Sequence, residues 1–153
     1  MKRSLFGPVL LVLAATALSA CDPKVGTAPE SARPEGGRPT ALAPATPAAP
    51  GAPAFAALYP GSTPTAAPTV ADGPAGPGGM AAFTTPDGAD KVVAFYRARA
   101  EASGLSSVSA MDQGEARAYA AADADGGSAS LQVVAQPDGE GKTTVQLMWS
   151  AGL

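Results

Sequence analysis

The chain has 153 residues, a formal net charge of −3, a single cysteine and no histidine. Without histidine, and with one thiol, it has neither the Ser-His-Asp and Cys-His nucleophile pairs nor the usual zinc ligand sets. The acidic balance and the lack of a basic cluster exclude nucleic acid as the expected partner, and one cysteine closes no internal disulfide.

Residues 1–20 read as an export signal. Lys2 and Arg3 form a positive start, and Leu5 to Ala17 supply an apolar stretch of signal length. That stretch is short of the roughly 20 apolar residues of a membrane span, and Pro8 interrupts it. Two cleavage patterns compete. Ala15-Thr16-Ala17 suits an ordinary signal peptidase and would release a free protein, whereas Leu18-Ser19-Ala20-Cys21 places two small residues between a leucine and the cysteine. The second pattern resembles the lipobox of bacterial lipoproteins. That resemblance implies that Cys21 becomes the mature N-terminus and carries a diacylglycerol, with a third acyl chain on its amine in many Gram-negative bacteria. Each buried methylene contributes about 0.8 kcal/mol, so two chains suffice for stable anchoring. In enteric lipoproteins an aspartate after the cysteine retains the protein at the inner membrane, so Asp22 inclines the expected location that way, facing the periplasm, with the outer membrane as the alternative. Loss of Lys2 and Arg3 leaves 8 basic against 13 acidic residues, a net charge of −5.

Residues 21–54 carry recurrent proline among Ala, Gly and Thr without periodicity, which predicts a disordered linker, semi-rigid where it is polyproline-like. It is either a stalk that holds the domain off the lipid or filler of no selected length. The folded domain is expected over residues 55–153. Phe55 to Leu58 reads as a short strand stopped by Tyr59-Pro60-Gly61, and Thr65 to Val70 as a second. Asp72 to Gly79 has loop composition, and Met80 to Thr84 reads as a further strand.

Thr85-Pro86-Asp87 predicts a helix start, with Thr85 as N-cap, Pro86 at the first helical position and Asp87 near the positive end of the dipole. Ala89, Val92, Val93, Tyr96 and Ala100, widened by Phe95, make an apolar stripe at helical spacing, while Lys91, Arg97, Arg99 and Glu101 face away. Gly104 ends the helix near Ser103. Strands are then expected within Leu105 to Met111, or merged there into loop, and at Glu115 to Ala121, Ser128 to Gln136 and Lys142 to Ser150. In the last hairpin, pairing Gln136 with Lys142 sets Val133 against Val145, Leu131 against Leu147 and Ala129 against Trp149 on one side. The face of the Glu115 strand stays open between its alanines and Tyr119. The expected architecture is α+β, one amphipathic helix on an antiparallel sheet of four to five strands.

Chemistry in the domain is sparse. Asp123-Ala124-Asp125-Gly126 opens like a calcium loop, but it lacks a third acidic ligand and the closing glutamate and so reads as a turn. Asp87 and Asp90 could act as an acid/base pair, yet a helix's first turn is where acids sit in any case. Trp149 and Tyr96 read as core. Val134 and Met148 are apolar exceptions on the otherwise polar side of the last hairpin, which makes them a candidate partner-binding patch. No cofactor, metal site or catalytic residue is expected. The signal, the lipobox, the Pro-rich tether, the Tyr59-Pro60-Gly61 turn and the TPD…VVAFYR…GL helix together resemble small proteobacterial envelope lipoproteins. Only the lipobox is a specific motif, and the resemblance carries no activity with it. The expected role is a non-enzymatic, lipid-anchored envelope domain that binds or supports a protein partner. The alternative is a ligand- or ion-binding module that uses the loops Asp72–Gly79 and Asp123–Gly127, with an enzyme third.

Overall fold

The computed structural model describes Leu42 and residues 44–153. Its elements are β1 (Thr63–Pro64), β2 (Thr69–Gly73), β3 (Gly76–Thr85), α1 (Ala89–Ala102), β4 (Leu105–Gln113), β5 (Ala116–Asp123), β6 (Ala129–Pro137) and β7 (Thr143–Ala151). The α+β class holds, with seven strands rather than four or five. All pairings are antiparallel, in the order β1-β3-β7-β6-β5-β4, and β2 pairs with β3 alongside β1. The two additional strands are short pieces before the helix. One of them forms because Asp72–Gly79, expected as loop, folds back as the β2–β3 hairpin with Gly73 opposite Gly76.

The helix stripe is as expected: Ala89, Val92, Val93, Tyr96 and Ala100 are buried, and α1 rests on β4, β5 and β6. Its start lies later than Thr85-Pro86-Asp87 predicts. Thr85 is 1% exposed and is held in the β3–β7 ladder opposite Thr143, so its backbone is committed to the strand. Its hydroxyl accepts the Asp87 N–H at 3.3 Å and makes a turn instead of a cap. The N-cap is Gly88, and Asp90 is the acid in the first turn. Gly104, at φ 84°, terminates the helix as expected. Arg99 does not face away: it is 6% exposed, its Nε donates to the Ala54 carbonyl at 3.1 Å, and its guanidinium lies 5.1 Å from the Phe95 ring centre.

That Arg99 contact belongs to the largest departure from expectation. The end of the presumed linker is part of the core. Ala48, Ala49, Phe55, Ala56 and Ala57 are buried, and one β-bridge joins Pro47 to Ala57 where a strand over Phe55 to Leu58 was expected. This strap closes on itself through Ala48 N–H to Ala56 O at 2.9 Å and Leu58 N–H to Thr46 O at 2.8 Å. The buried Tyr96 hydroxyl donates to the Ala57 carbonyl at 2.7 Å. That bond satisfies a buried strap carbonyl that would otherwise be desolvated without a partner, and Arg99 adds a second tie from α1 at the exposed Ala54. Alanine can therefore be core material where the main chain is held this closely, while the prolines of the strap stay exposed or half-buried.

The sheet's inner face carries Phe83, Tyr119, Leu131, Val133, Ala135, Val145, Leu147 and Trp149. This decides the β5 face: Tyr119 and Ala121 point inward, the Tyr119 hydroxyl shares a 2.9 Å hydrogen bond with Ser107, and the Arg97 guanidinium covers its ring. The last hairpin keeps its expected faces but slips by two residues, so that Val133 pairs with Leu147 and Leu131 with Trp149. The turn sets this register. Asp138 accepts the N–H groups of Glu140 at 2.8 Å and Lys142 at 3.0 Å and donates its own N–H to Lys142 O, which moves the first ladder pair to Pro137 and Thr143. An even slip preserves side-chain alternation.

Candidate functional site

The opposite face of the sheet is built by the alternate residues along each strand, and among the described residues no helix lies on it. Pairing across the strands lays these side chains out in rows. One row runs Met80, Met148, Gln132, Ala120, Ser109 from β3 to β4, and the next runs Ala82, Gln146, Val134, Ala118, Met111. Met80 is 46% exposed, and on the edge strand Val108 and Met111 are 67% and 64% exposed. Val108 stands at the β-bulge between Ser107 and Ser109, which takes it out of the regular ladder.

Two depressions occupy this face. The larger, about 390 Å³, is floored by Ala120, Ala122 and Ser130 and flanked by Val108 and Met148. Small side chains between two large ones create the hollow. No charged residue lines it, and its side-chain hydrogen-bonding groups are the Gln132 amide and the Ser130 and Ser150 hydroxyls. The second, about 360 Å³, continues past Ser150 and Met80 under the β2–β3 hairpin. Ser150 holds the tip of that hairpin in place by donating to the Ala75 carbonyl at 3.1 Å. Both volumes lie within the usual range of small-molecule sites, roughly 300–1,000 Å³, and the mix of apolar walls with a few polar groups is typical of them.

The expected patch residues Val134 and Met148 are half-buried on this face in adjacent rows; Met148 flanks the larger depression, whereas Val134 lines neither. Sequence reasoning missed Met80, Val108 and the alanine floor. Met80 becomes the neighbour of Met148 only through β3–β7 pairing, which alternation within one strand does not reveal. The loop residues Asp72 to Gly79 contribute to the second depression. Asp123–Gly127 does not join either; Asp123 Oδ1 accepts the Asp125 N–H at 3.1 Å in an ordinary turn. Among the described residues, no three His, Cys, Asp or Glu side chains come together to hold a metal. Cys21 and Asp22 lie outside the described residues.

The remaining carboxylates are engaged separately. Asp87 accepts the Tyr59 hydroxyl and the Lys91 ammonium, each at 2.9 Å, while Asp90 accepts Arg117 Nε at 2.7 Å. Lys91 and Tyr59 hold the Asp87 carboxyl below the usual carboxylate range. Burial, reinforced by the Asp87 carboxylate, pushes the Tyr59 phenol up to about 12. Both partnerships are structural. Tyr59 pins the strap to the head of α1, and Arg117 ties α1 to the β4–β5 turn through Asp90, Asp112 and the Gly114 carbonyl.

A family model described as START domain-like matches residues 64–149, from the end of β1 to Trp149 in β7 and so more than half of the chain. No curated protein and no solved structure matches the chain.

Proposed function

The chain belongs to the START domain-like family, and from that premise we propose that its domain is a non-enzymatic ligand-binding module whose site is the uncovered sheet face. The observation that carries this reading is the uncharged 390 Å³ hollow between Val108 and Met148, with its alanine floor. It suits a small, neutral, largely apolar ligand oriented by Gln132 and the two serines. A charged ligand would lose its hydration there and meet no counter-ion. Titration of the full chain with the neutral dye Nile red should give saturable fluorescence enhancement. A Val108→Ser/Met148→Ser variant should bind about tenfold more weakly, because the two apolar flanks of the hollow are replaced by hydroxyls. Equal affinity in the variant, with both proteins folded by circular dichroism, sinks the reading. Exposed Val108 and Met111 extend the same face to the sheet edge and favour an envelope protein as the second reading.

The module is tethered, on our reading, by lipid on Cys21, because Leu18-Ser19-Ala20-Cys21 follows a charged start and a short apolar run. Asp22 favours the inner membrane, with the domain facing the periplasm. In the native host, the wild-type chain should sediment with membranes and a Cys21→Ser chain should not. A Cys21→Ser chain still resistant to salt extraction from membranes would remove the lipid from the account.

A further inference from the structure

Three of the chain's four methionines fall in described residues, and all three, Met80, Met111 and Met148, stand on the uncovered face. The core contains none and is built from Ala, Val, Leu, Phe, Tyr and Trp. Methionine is an ordinary gap-filler of cores, so its confinement to the outside concerns that face. Met80 and Met148 are direct cross-strand partners, and each borders one of the two depressions. The only cysteine is Cys21, so these thioethers are the oxidisable sulfurs of the described domain.

We propose that the Met80–Met148 pair is an oxidation site through which peroxide-class oxidants switch off ligand binding; this rests on the ligand reading of the same face. The thioether sulfur attacks one peroxide oxygen, an S–O bond forms and the O–O bond breaks. The sulfur loses two electrons to become a sulfoxide, and the second peroxide oxygen leaves with the O–O electron pair, taking the proton shed by the transferred oxygen to become water (or an alcohol, from an alkyl peroxide). A flexible apolar wall becomes a polar, chiral one. The change falls between the two hollows, with Met148 on the side of the ligand's hollow and Met80, its cross-strand partner, on the side of the other. Met111 lies in the neighbouring row and lines neither hollow, which makes it an internal reference.

The test is Nile red binding by the full chain before and after hydrogen peroxide, with peptide mass spectrometry to locate the added oxygen. Wild type should gain oxygen on Met80 and Met148 and lose affinity at least tenfold. The ratio of treated to untreated affinity should return close to one in a Met80→Leu/Met148→Leu variant and remain as in wild type in Met111→Leu. Wild type that binds equally well with both sulfurs oxidised overturns the inference alone. So does a double-leucine variant that is as sensitive as wild type, or oxidation confined to Met111. An untreated chain that binds no Nile red overturns the ligand reading and this inference with it.

Discussion

Replacing Phe55 by alanine lowers the stability of the domain by about 3–5 kcal/mol, the usual cost of emptying a buried phenylalanine site. The ring is 5% exposed and belongs to the same core cluster as Tyr96, Leu147 and Trp149, although it stands next to a stretch composed like a tether. A domain of this size has a total stability of roughly 5–15 kcal/mol, so the loss is a large share of it. The thermal midpoint should fall by at least roughly 12 °C. A Phe55→Leu variant should recover much of the loss, because leucine refills part of the volume. Were the strap a passive linker, the alanine variant would unfold within about 0.5 kcal/mol of wild type, as exposed substitutions do. Chemical denaturation followed by Trp149 fluorescence separates the two outcomes, since the chain has one tryptophan.

Gly79→Val should destabilise by about 3 kcal/mol or more through overpacking. Gly79 lies opposite Trp149 in the β3–β7 ladder, and the indole covers the position that a side chain would take. A Cβ there would stand 2.5 Å from Trp149 Cζ2 and 2.6 Å from the Thr69 carbonyl oxygen. The oxygen is main chain in β2, so it cannot swing away. The ring could move, but only by giving up its buried place and opening the core beneath it. Valine should therefore shift Trp149 emission to longer wavelength in the native baseline and lower the denaturation midpoint. Gly88→Ala is the matched control: its added Cβ meets nothing within 4 Å, and its φ of −69° suits any residue. An unchanged midpoint in Gly79→Val would mean that β2 and the indole do not close on β3 as described.

What could be read from the sequence had a period to read. The stripe from Ala89 to Ala100 and the alternation from Leu131 to Trp149 recur at helical and strand spacing, and both bury as expected. The hairpin register was out by two because it is set by one side chain, Asp138, whose bonds to Glu140 and Lys142 no hydrophobic pattern records. The helix start was misplaced because Thr85-Pro86-Asp87 is good capping chemistry used for a different turn; strand pairing with Thr143 has the prior claim on Thr85. The strap was illegible for a deeper reason. Ala48, Ala49, Ala56 and Ala57 bury little area each, and what fixes them is the grip of Tyr96 and Arg99 on main-chain carbonyls 39 and 45 residues away. Of the residues around the two hollows, Met148 stands out in the alternation of the last hairpin, whereas Val134 lies in the next row and lines neither. Met80 needed the strand order.

That strand order has a kinetic consequence. β7 lies in the middle of the sheet, between β6 and β3, so the partner of Met80 is 68 positions further along the chain. Until β7 is available, β3 has no inner neighbour, and the sheet stays split into a β4–β6 meander and an orphaned piece. Pairings this distant in sequence carry a loop-closure cost before any contact repays it, so the domain should assemble slowly and late. Through that interval the edges of β3 and β6 stand open, so aggregation during refolding should grow steeply with protein concentration.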